Sequence, residues 1–204
     1  CYGVASLDLG SGRFYIIEVI GENALVAELQ RLNPAELLLT QALENQQFAD
    51  VCKSVRFRAP WEFEFDTAER LLCEQFATKS LQAFGCQQLV TAIGAAGCVL
   101  SYATETQRTA LPHINRIQAE DRDEAVTMDA ATRRNLEIDT NLTGGESNTL
   151  FELFNTAATS MGSRLLCRWL NRPLRLKSIL EQRQHAISTL LQDYRFEVVR
   201  APLK

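Results

Sequence analysis

Residues 128–173 read MDAATRRNLEIDTNLTGGESNTLFELFNTAATSMGSRLLCRWLNRP, and their punctuation divides the chain into helices. Asp129 can cap a short helix whose later turns carry Leu136 and Ile138. Gly144–Gly145 stops that run, because glycine takes left-handed backbone angles without a Cβ clash. Ser147 can cap a second helix bearing Leu150, Phe151, Leu153 and Phe154. Thr159 or Ser160 can cap a third, which Asn171–Pro173 ends. On that third helix Met161, Leu165, Trp169 and Leu170 fall at i, i+4, i+8 and i+9, an expected buried face. Arg164, Arg168 and Arg172 repeat every four residues on another face.

Working outward, the segment behind this stretch stays helical. Leu176 to Asp193 carries a wide apolar stripe through Ile179, Leu180, Ala186, Ile187, Leu190 and Leu191. Tyr194 to Lys204 is expected to continue into another helix. Ahead of it the pattern is mixed. Tyr2 to Val19 predicts a β-hairpin turning at Gly10-Ser11-Gly12. Glu22 to Leu32 predicts a helix ended by Asn33–Pro34, and Glu36 to Leu39 a buried strand. Strand, helix and strand at that spacing suggest a crossover to a parallel neighbour. Lys53 to Arg58 alternates as a half-exposed strand. Asp66 or Thr67 can cap a helix with Ala68, Leu72 and Phe76 inward. A longer helix follows at about Gln87 to Glu105, whose Gly94, Ala95, Ala96 and Gly97 permit close approach by a neighbour. From Ala110 to Ala125 the pattern lapses, ending in the charged run Glu120–Glu124, which reads as a linker. Val126–Met128 reads as a brief strand. The expected organisation is therefore an α/β unit over 1–109, a linker over 110–125 and an all-α unit over 126–204.

Composition narrows the function classes. The 204 residues are 46% hydrophobic and 23% charged, which is the balance of a globular protein. A net charge of −4 argues against a free-standing nucleic-acid binder. No apolar run approaches the roughly 20 residues that span a bilayer. The chain starts without Met inside an apparent strand, has no signal peptide, and reads as a segment of something longer. The six cysteines (Cys1, Cys52, Cys73, Cys86, Cys98 and Cys167) form no CxxC pair, and His113 and His185 lie far apart. They read as reduced, mostly buried thiols of a cytoplasmic protein rather than as a zinc site.

The run DAATRRNLEI, then GG, NTLFELFN and TSMGSRLLCRWLNRPL resembles the start of the core domain of MutS-type DNA mismatch-repair proteins. Upstream, LDLGSGRFYI (7–16), NPAELL (33–38), PWEFEFDTAERLL (60–72) and TQRTALPHI (106–114) resemble the connector domain that precedes that core. The resemblance implies an RNase H-like fold for the first unit, where patterning alone implies a mixed sheet with helices. It implies a non-catalytic segment that passes ATP-driven domain motion to the DNA clamp and docks a MutL-type partner. Arg70, Leu71 and Glu74, on the side of the Asp66–Ala77 helix that Ala68, Leu72 and Phe76 leave free, are the expected docking residues. The parent protein is expected to be a homo-oligomeric ATPase that binds mismatched DNA. Its ATP and magnesium site lies beyond Lys204, consistent with no GxxxxGK[ST] in this chain. Its mismatch-reading Phe-x-Glu motif lies ahead of Cys1, and Phe63-Glu64-Phe65 does not satisfy that pattern.

Two rival classes remain. A metal nuclease of RNase H-like fold would use Asp8 on the first strand with further carboxylates, to hold two metals about 4 Å apart. Glu62, Glu64 and Asp66 are expected on one face of a strand entering a helix cap, and nothing in the sequence brings them to Asp8; a turn role for Asp8 is favoured. LDLGSGRF is also similar to the phosphate-gripping hairpins of actin-like kinases, but the second loop of those enzymes is missing. The other rival is an autonomous DNA-binding module. From Met161 onward nine basic residues, including Arg164, Arg168 and Arg172, face only Glu181, Asp193 and Glu197. Such a face could track phosphates; the favoured alternative is that these arginines bind carboxylates on neighbouring helices.

Overall fold

A computed structural model describes residues 1–43, 52 and 54–203. The chain divides into two compact units, Cys1–Glu120 and Asp121–Lys204.

The first unit opens with the expected hairpin. Strands β1 (Tyr2–Asp8) and β2 (Arg13–Val19) pair antiparallel, in register from Tyr2↔Val19 to Asp8↔Arg13. Gly12 closes the turn at φ +68, with its N–H donating to the Asp8 carbonyl. A Cβ there would also sit 2.4 Å from the His113 carbonyl oxygen, so glycine is required twice over. Helix α1 (Glu22–Leu32) ends where Asn33 takes left-handed angles, as the Asn33–Pro34 break predicts. Strand β3 (Leu37–Thr40) follows, and β4 (Val55–Arg58) pairs with it in parallel from Leu37↔Val55. The expected strand start at Lys53 lies outside the described residues.

The strand after α1 does not pair with the strand before it, and the parallel ladders lie elsewhere. β3 pairs with β4, and β2 finds its own parallel neighbour in the two-residue β5 (Gln118–Ala119). The sheets are thus β1-β2-β5 and β3-β4.

Two helices cover the hairpin. α2 (Phe65–Gln75) and α3 (Val90–Gln107) approach each other through the glycines of α3. A Cβ on Gly94 would lie 2.2 Å from the Phe63 carbonyl oxygen, and one on Gly97 would lie 2.4 Å from Ala68 Cβ. The period-two geometry of β2 sends its side chains into two cores. Phe14 and Ile16 join Ala68 and Leu72 of α2 and Ile93 and Leu100 of α3. Ile17 and Val19 join Val4, Leu25, Leu29, Leu37 and Leu39.

Leu111, Ile114 and Ile117 are buried in the first of these cores, so the segment expected as linker from Ala110 is packed up to Glu120. The Gln75 side-chain amide donates to the carbonyls of Leu111 and Ile114, each at 2.8 Å. Arg31 holds the end of the segment, donating to Glu120 at 2.7 Å while also bonding Glu28. A low apolar density hid this packing: three residues at three-residue spacing suffice to anchor an extended path.

In the second unit α4 (Ala130–Asn135) is capped by Asp129, whose side chain accepts the Thr132 N–H at 2.7 Å. It is shorter than expected. Glu137 turns to φ 44, ahead of the Gly144–Gly145 pair, and Ile138 is buried beyond the helix. α5 (Leu150–Phe154) is capped by Thr149, not Ser147, because the Thr149 hydroxyl reaches the Glu152 N–H. α6 (Ser160–Asn171) is capped by Thr159 through the Gly162 N–H. α7 (Lys177–Leu191) and α8 (Arg195–Arg200) follow. Residues 126–128 form no strand; the neighbouring contact is a single bridge, Ala125 to Leu174.

The expected buried face of α6 is not buried. Met161 is 67% exposed, and Leu165, Trp169 and Leu170 are half-buried. The stripe on α7 is similarly open, with Leu191 61% exposed. Amphipathic spacing shows that a face can be covered, and the partner that covers it is a separate matter.

Candidate functional site

The strongest candidate surface is the outer side of α2. A tight turn at Pro60–Phe63 leads into it, stabilised by Glu62, which accepts from the Ala59 N–H at 3.2 Å and from Arg58 Nε at 2.7 Å. Helix α2 then begins at Phe65 with Glu64 in the cap position, so Asp66 and Thr67 lie within the first turn rather than capping it. Ala68 and Leu72 are fully buried against α3, which locks the back of the helix. Arg70 and Glu74 are exposed and Leu71 is half-buried beside them. Arg70 and Glu74 are at i, i+4, yet neither side chain makes a hydrogen bond or ion pair among the described residues. Helix α2 therefore presents one cation, one anion and an apolar edge on a rigid base.

The carboxylates weighed as metal ligands do not converge. Asp8 Oδ1 accepts from the N–H groups of Gly10 (3.0 Å) and Ser11 (3.3 Å), and Oδ2 accepts from the Ser11 hydroxyl. That is a turn-capping carboxylate. Glu62 is bonded to Arg58 and Ala59, and with the turn at 60–63 the three acids 62, 64 and 66 do not lie along a strand. Among the described residues no group of three or more His, Cys, Asp or Glu side chains is placed to hold a metal ion.

Beside the hairpin turn, Arg13, His113, Asn115 and Arg116 line a polar hollow of about 360 Å³. The His113 ring Nε2 lies 2.8 Å from the Leu9 carbonyl, which places the ring at the rim.

The three arginines of α6 separate in the structure. Arg164 is exposed. Arg168 is half-buried. Arg172 donates to the Asp121 carbonyl at 2.8 Å and stands 3.9 Å from Glu124, so it serves as an internal tie of the second unit. A further arginine, Arg183, lies over the Trp169 ring at 4.0 Å.

Sequence reading missed the polar centre of this unit. Asn171, read only as a helix end, is 7% exposed. Its amide donates to Asp139 Oδ2 at 2.7 Å and to the Cys167 carbonyl at 3.1 Å, and its oxygens accept from the Arg133 guanidinium. Burial, with Asp139 nearby, pushes the Cys167 thiol up. The available signal was Asn171 continuing the apolar side of α6 directly after Leu170.

No helix among the described residues is long and apolar enough to cross a membrane. Two family models match the chain: MutS domain II over residues 1–115 and MutS domain III over residues 131–204. The boundary between the matches brackets the division of the structure at Glu120 and Asp121. The α/β unit with its exposed α2 face, and the helical unit in which a buried Asn171 joins Arg133 to Asp139, are domains II and III of a DNA mismatch-repair protein, and the chain belongs to the MutS family.

Proposed function

We propose that this chain is a non-catalytic, adhesive and mechanical part of a cytoplasmic mismatch-repair machine. Its first unit, read as an RNase H-like connector, docks a MutL-type partner through Arg70, Leu71 and Glu74. Its second unit passes motion between a distant ATPase and the DNA clamp. ATP and magnesium act elsewhere in the parent protein. The observation that carries the docking reading is the state of α2: Ala68 and Leu72 are buried while Arg70 and Glu74 are exposed and uncommitted. A rigid helix with an unspent charge pair beside a half-buried leucine has the makings of an interface with a small apolar centre and a polar rim. Motion transmission is supported by the division into two compact units, which is what rigid-body movement requires.

The test is the Arg70→Glu substitution in the full-length protein. MutL binding should weaken about tenfold or more, while mismatch binding stays as it was. Unchanged MutL affinity removes the docking face.

A further inference from the structure

The hollow beside the β1–β2 turn is lined by cations and by no carboxylate. Residues 11–14 wall it on one side, and His113, Asn115, Arg116 and Gln118 on the other. Two segments far apart in sequence build it, and each is fixed in place. Ile114 and Ile117 are buried in the core, which leaves Asn115 and Arg116 between them exposed. Parallel pairing of Tyr15 with Gln118 lays this segment beside β2. At the turn, Gly12 admits the His113 carbonyl to a place that a Cβ would block. The His113 Nε2 donates to the carbonyl of Leu9, 104 residues away, because a carbonyl only accepts.

The two arginines of this hollow are unspent. Arg13 and Arg116 make no hydrogen bond or ion pair among the described residues. Arg31, Arg56 and Arg58 of the same unit each have a carboxylate partner. Asp8 stands opposite Arg13 across the hairpin, outside the lining of the hollow. Its Oδ1 accepts from the N–H groups of Gly10 and Ser11, and its Oδ2 from the Ser11 hydroxyl. The Gly12 N–H is spent on the Asp8 carbonyl. The turn therefore offers no nest of free N–H groups, and recognition of an anion here falls to side chains. In a chain of net charge −4, two uncommitted guanidiniums around one concavity are a local exception.

We propose that this hollow binds a phosphomonoester, clamped between Arg13 and Arg116, with the amides of Asn115 and Gln118 completing the donor set. Guanidinium forks match the paired oxygens of phosphate and carboxylate alike. Donor count and charge separate the two. Two forks and two side-chain amides offer more N–H groups than the roughly four acceptor sites of a carboxylate. Two guanidiniums balance the charge of about −1.5 to −2 that a phosphomonoester carries at neutral pH, and a carboxylate brings half of that. A space of about 360 Å³ lies at the small end of ligand sites, which suits one phosphate and the group esterified to it. The same contacts serve a free phosphate ion, a mononucleotide or the phosphorylated 5′ end of a DNA strand. Neither the docking role of α2 nor the RNase H-like reading is needed for this site.

Heteronuclear NMR of the 204-residue chain at pH 7 and constant ionic strength tests this. The probes are inorganic phosphate, adenosine monophosphate and a short single-stranded oligonucleotide with or without a 5′ phosphate. Saturable shifts are expected at the amides of Gly12, Arg13 and Arg116 and at the two arginine Nε–H signals, and the probe that binds tightest names the source. Arg13→Gln and Arg116→Gln should each weaken binding by about tenfold or more, the loss expected for a charge-assisted hydrogen bond, with amide signals elsewhere unmoved. Three results overturn the proposal: no shift at these residues with any probe, an equal response to acetate, or variants that bind as the parent chain does. A strand that shifts the same signals equally without its 5′ phosphate also overturns it, because the site then reads phosphodiesters.

Discussion

The side-chain amide of Asn171 donates to Oδ2 of Asp139 at 2.7 Å, which ties the C-terminal end of α6 to the loop that follows α4. The same asparagine accepts from Arg133 of α4, so a single buried amide serves two charged side chains. Buried polar groups of this kind contribute little while satisfied and cost much when one partner is removed. Asn171→Ala should therefore lower the stability of the second unit by about 1–3 kcal/mol. Urea denaturation followed by Trp169 fluorescence measures this, and an unchanged midpoint would show that the centre is dispensable.

Gly94 marks the closest passage of α3 past the turn before α2. A methyl group there would lie 2.2 Å from the Phe63 carbonyl oxygen, a backbone atom that cannot swing aside. Gly94→Ala should cost about 1–3 kcal/mol through forced separation of the two segments. Thermal unfolding of the variant checks the direction; Gly85→Ala makes a useful contrast, because there the cost arises from φ +67 and not from contact.

The cap of α4 titrates. Hydrogen bonds from Thr132, from its side chain first and then its backbone N–H, hold the Asp129 carboxyl below its ordinary value of 3.8. A carboxyl depressed by folding stabilises the folded state above its unfolded value and loses that contribution as the pH falls through its folded value. Protection of the Thr132 amide, relative to exchange of an unstructured chain at the same pH, should fall as the pH is taken down through the depressed value. Asp129→Asn keeps an acceptor for the same N–H and should remove the pH dependence.

Cys98 titrates the other way. Burial pushes its thiol up to about 12 from an ordinary 9.0. A group whose pKa is raised by folding contributes stability below its unfolded value and loses it as the pH rises toward the folded one. Stability should thus decline above pH 9, and Cys98→Ala should flatten that part of the slope. At pH 8 the exposed Cys1 should react with iodoacetamide while Cys52, Cys86 and Cys98 resist until unfolding, which mass spectrometry of the labelled protein reads directly.

The arginines of α6 should divide under substitution. Arg172→Ala removes the bond to the Asp121 carbonyl and should destabilise the second unit by about 1–3 kcal/mol. Arg164→Ala should leave stability within about 0.5 kcal/mol, as an exposed site does. A loss of salt-dependent DNA affinity in Arg164→Ala alone would revive a phosphate-tracking role for this helix.

Features settled within a turn or two of backbone were legible in the residues. Asp129 and Thr159 cap because a short acceptor sits before a helical run, Asn33 and Pro34 stop α1, and Gly12 closes the hairpin through its own φ. The exposed side of α2 was legible for a similar reason, since Ala68 and Leu72 are spaced to share one face. The family motifs were also local strings, which is why the two domains could be read from them. What escaped depended on partners far along the chain. Leu111, Ile114 and Ile117 are too sparse to announce a buried path, and Gln75, which holds it, lies 36 residues away from Leu111. The pairing of β2 with Gln118–Ala119, the separation of β3 from β1 and the Asn171 centre all follow from which surfaces meet in space. Local patterning by itself determined where elements begin, end and turn apolar, because those are short-range costs of backbone and solvent. Only the tertiary structure decided which edges pair and which polar side chains are buried, because those energies exist only once distant segments have been brought together.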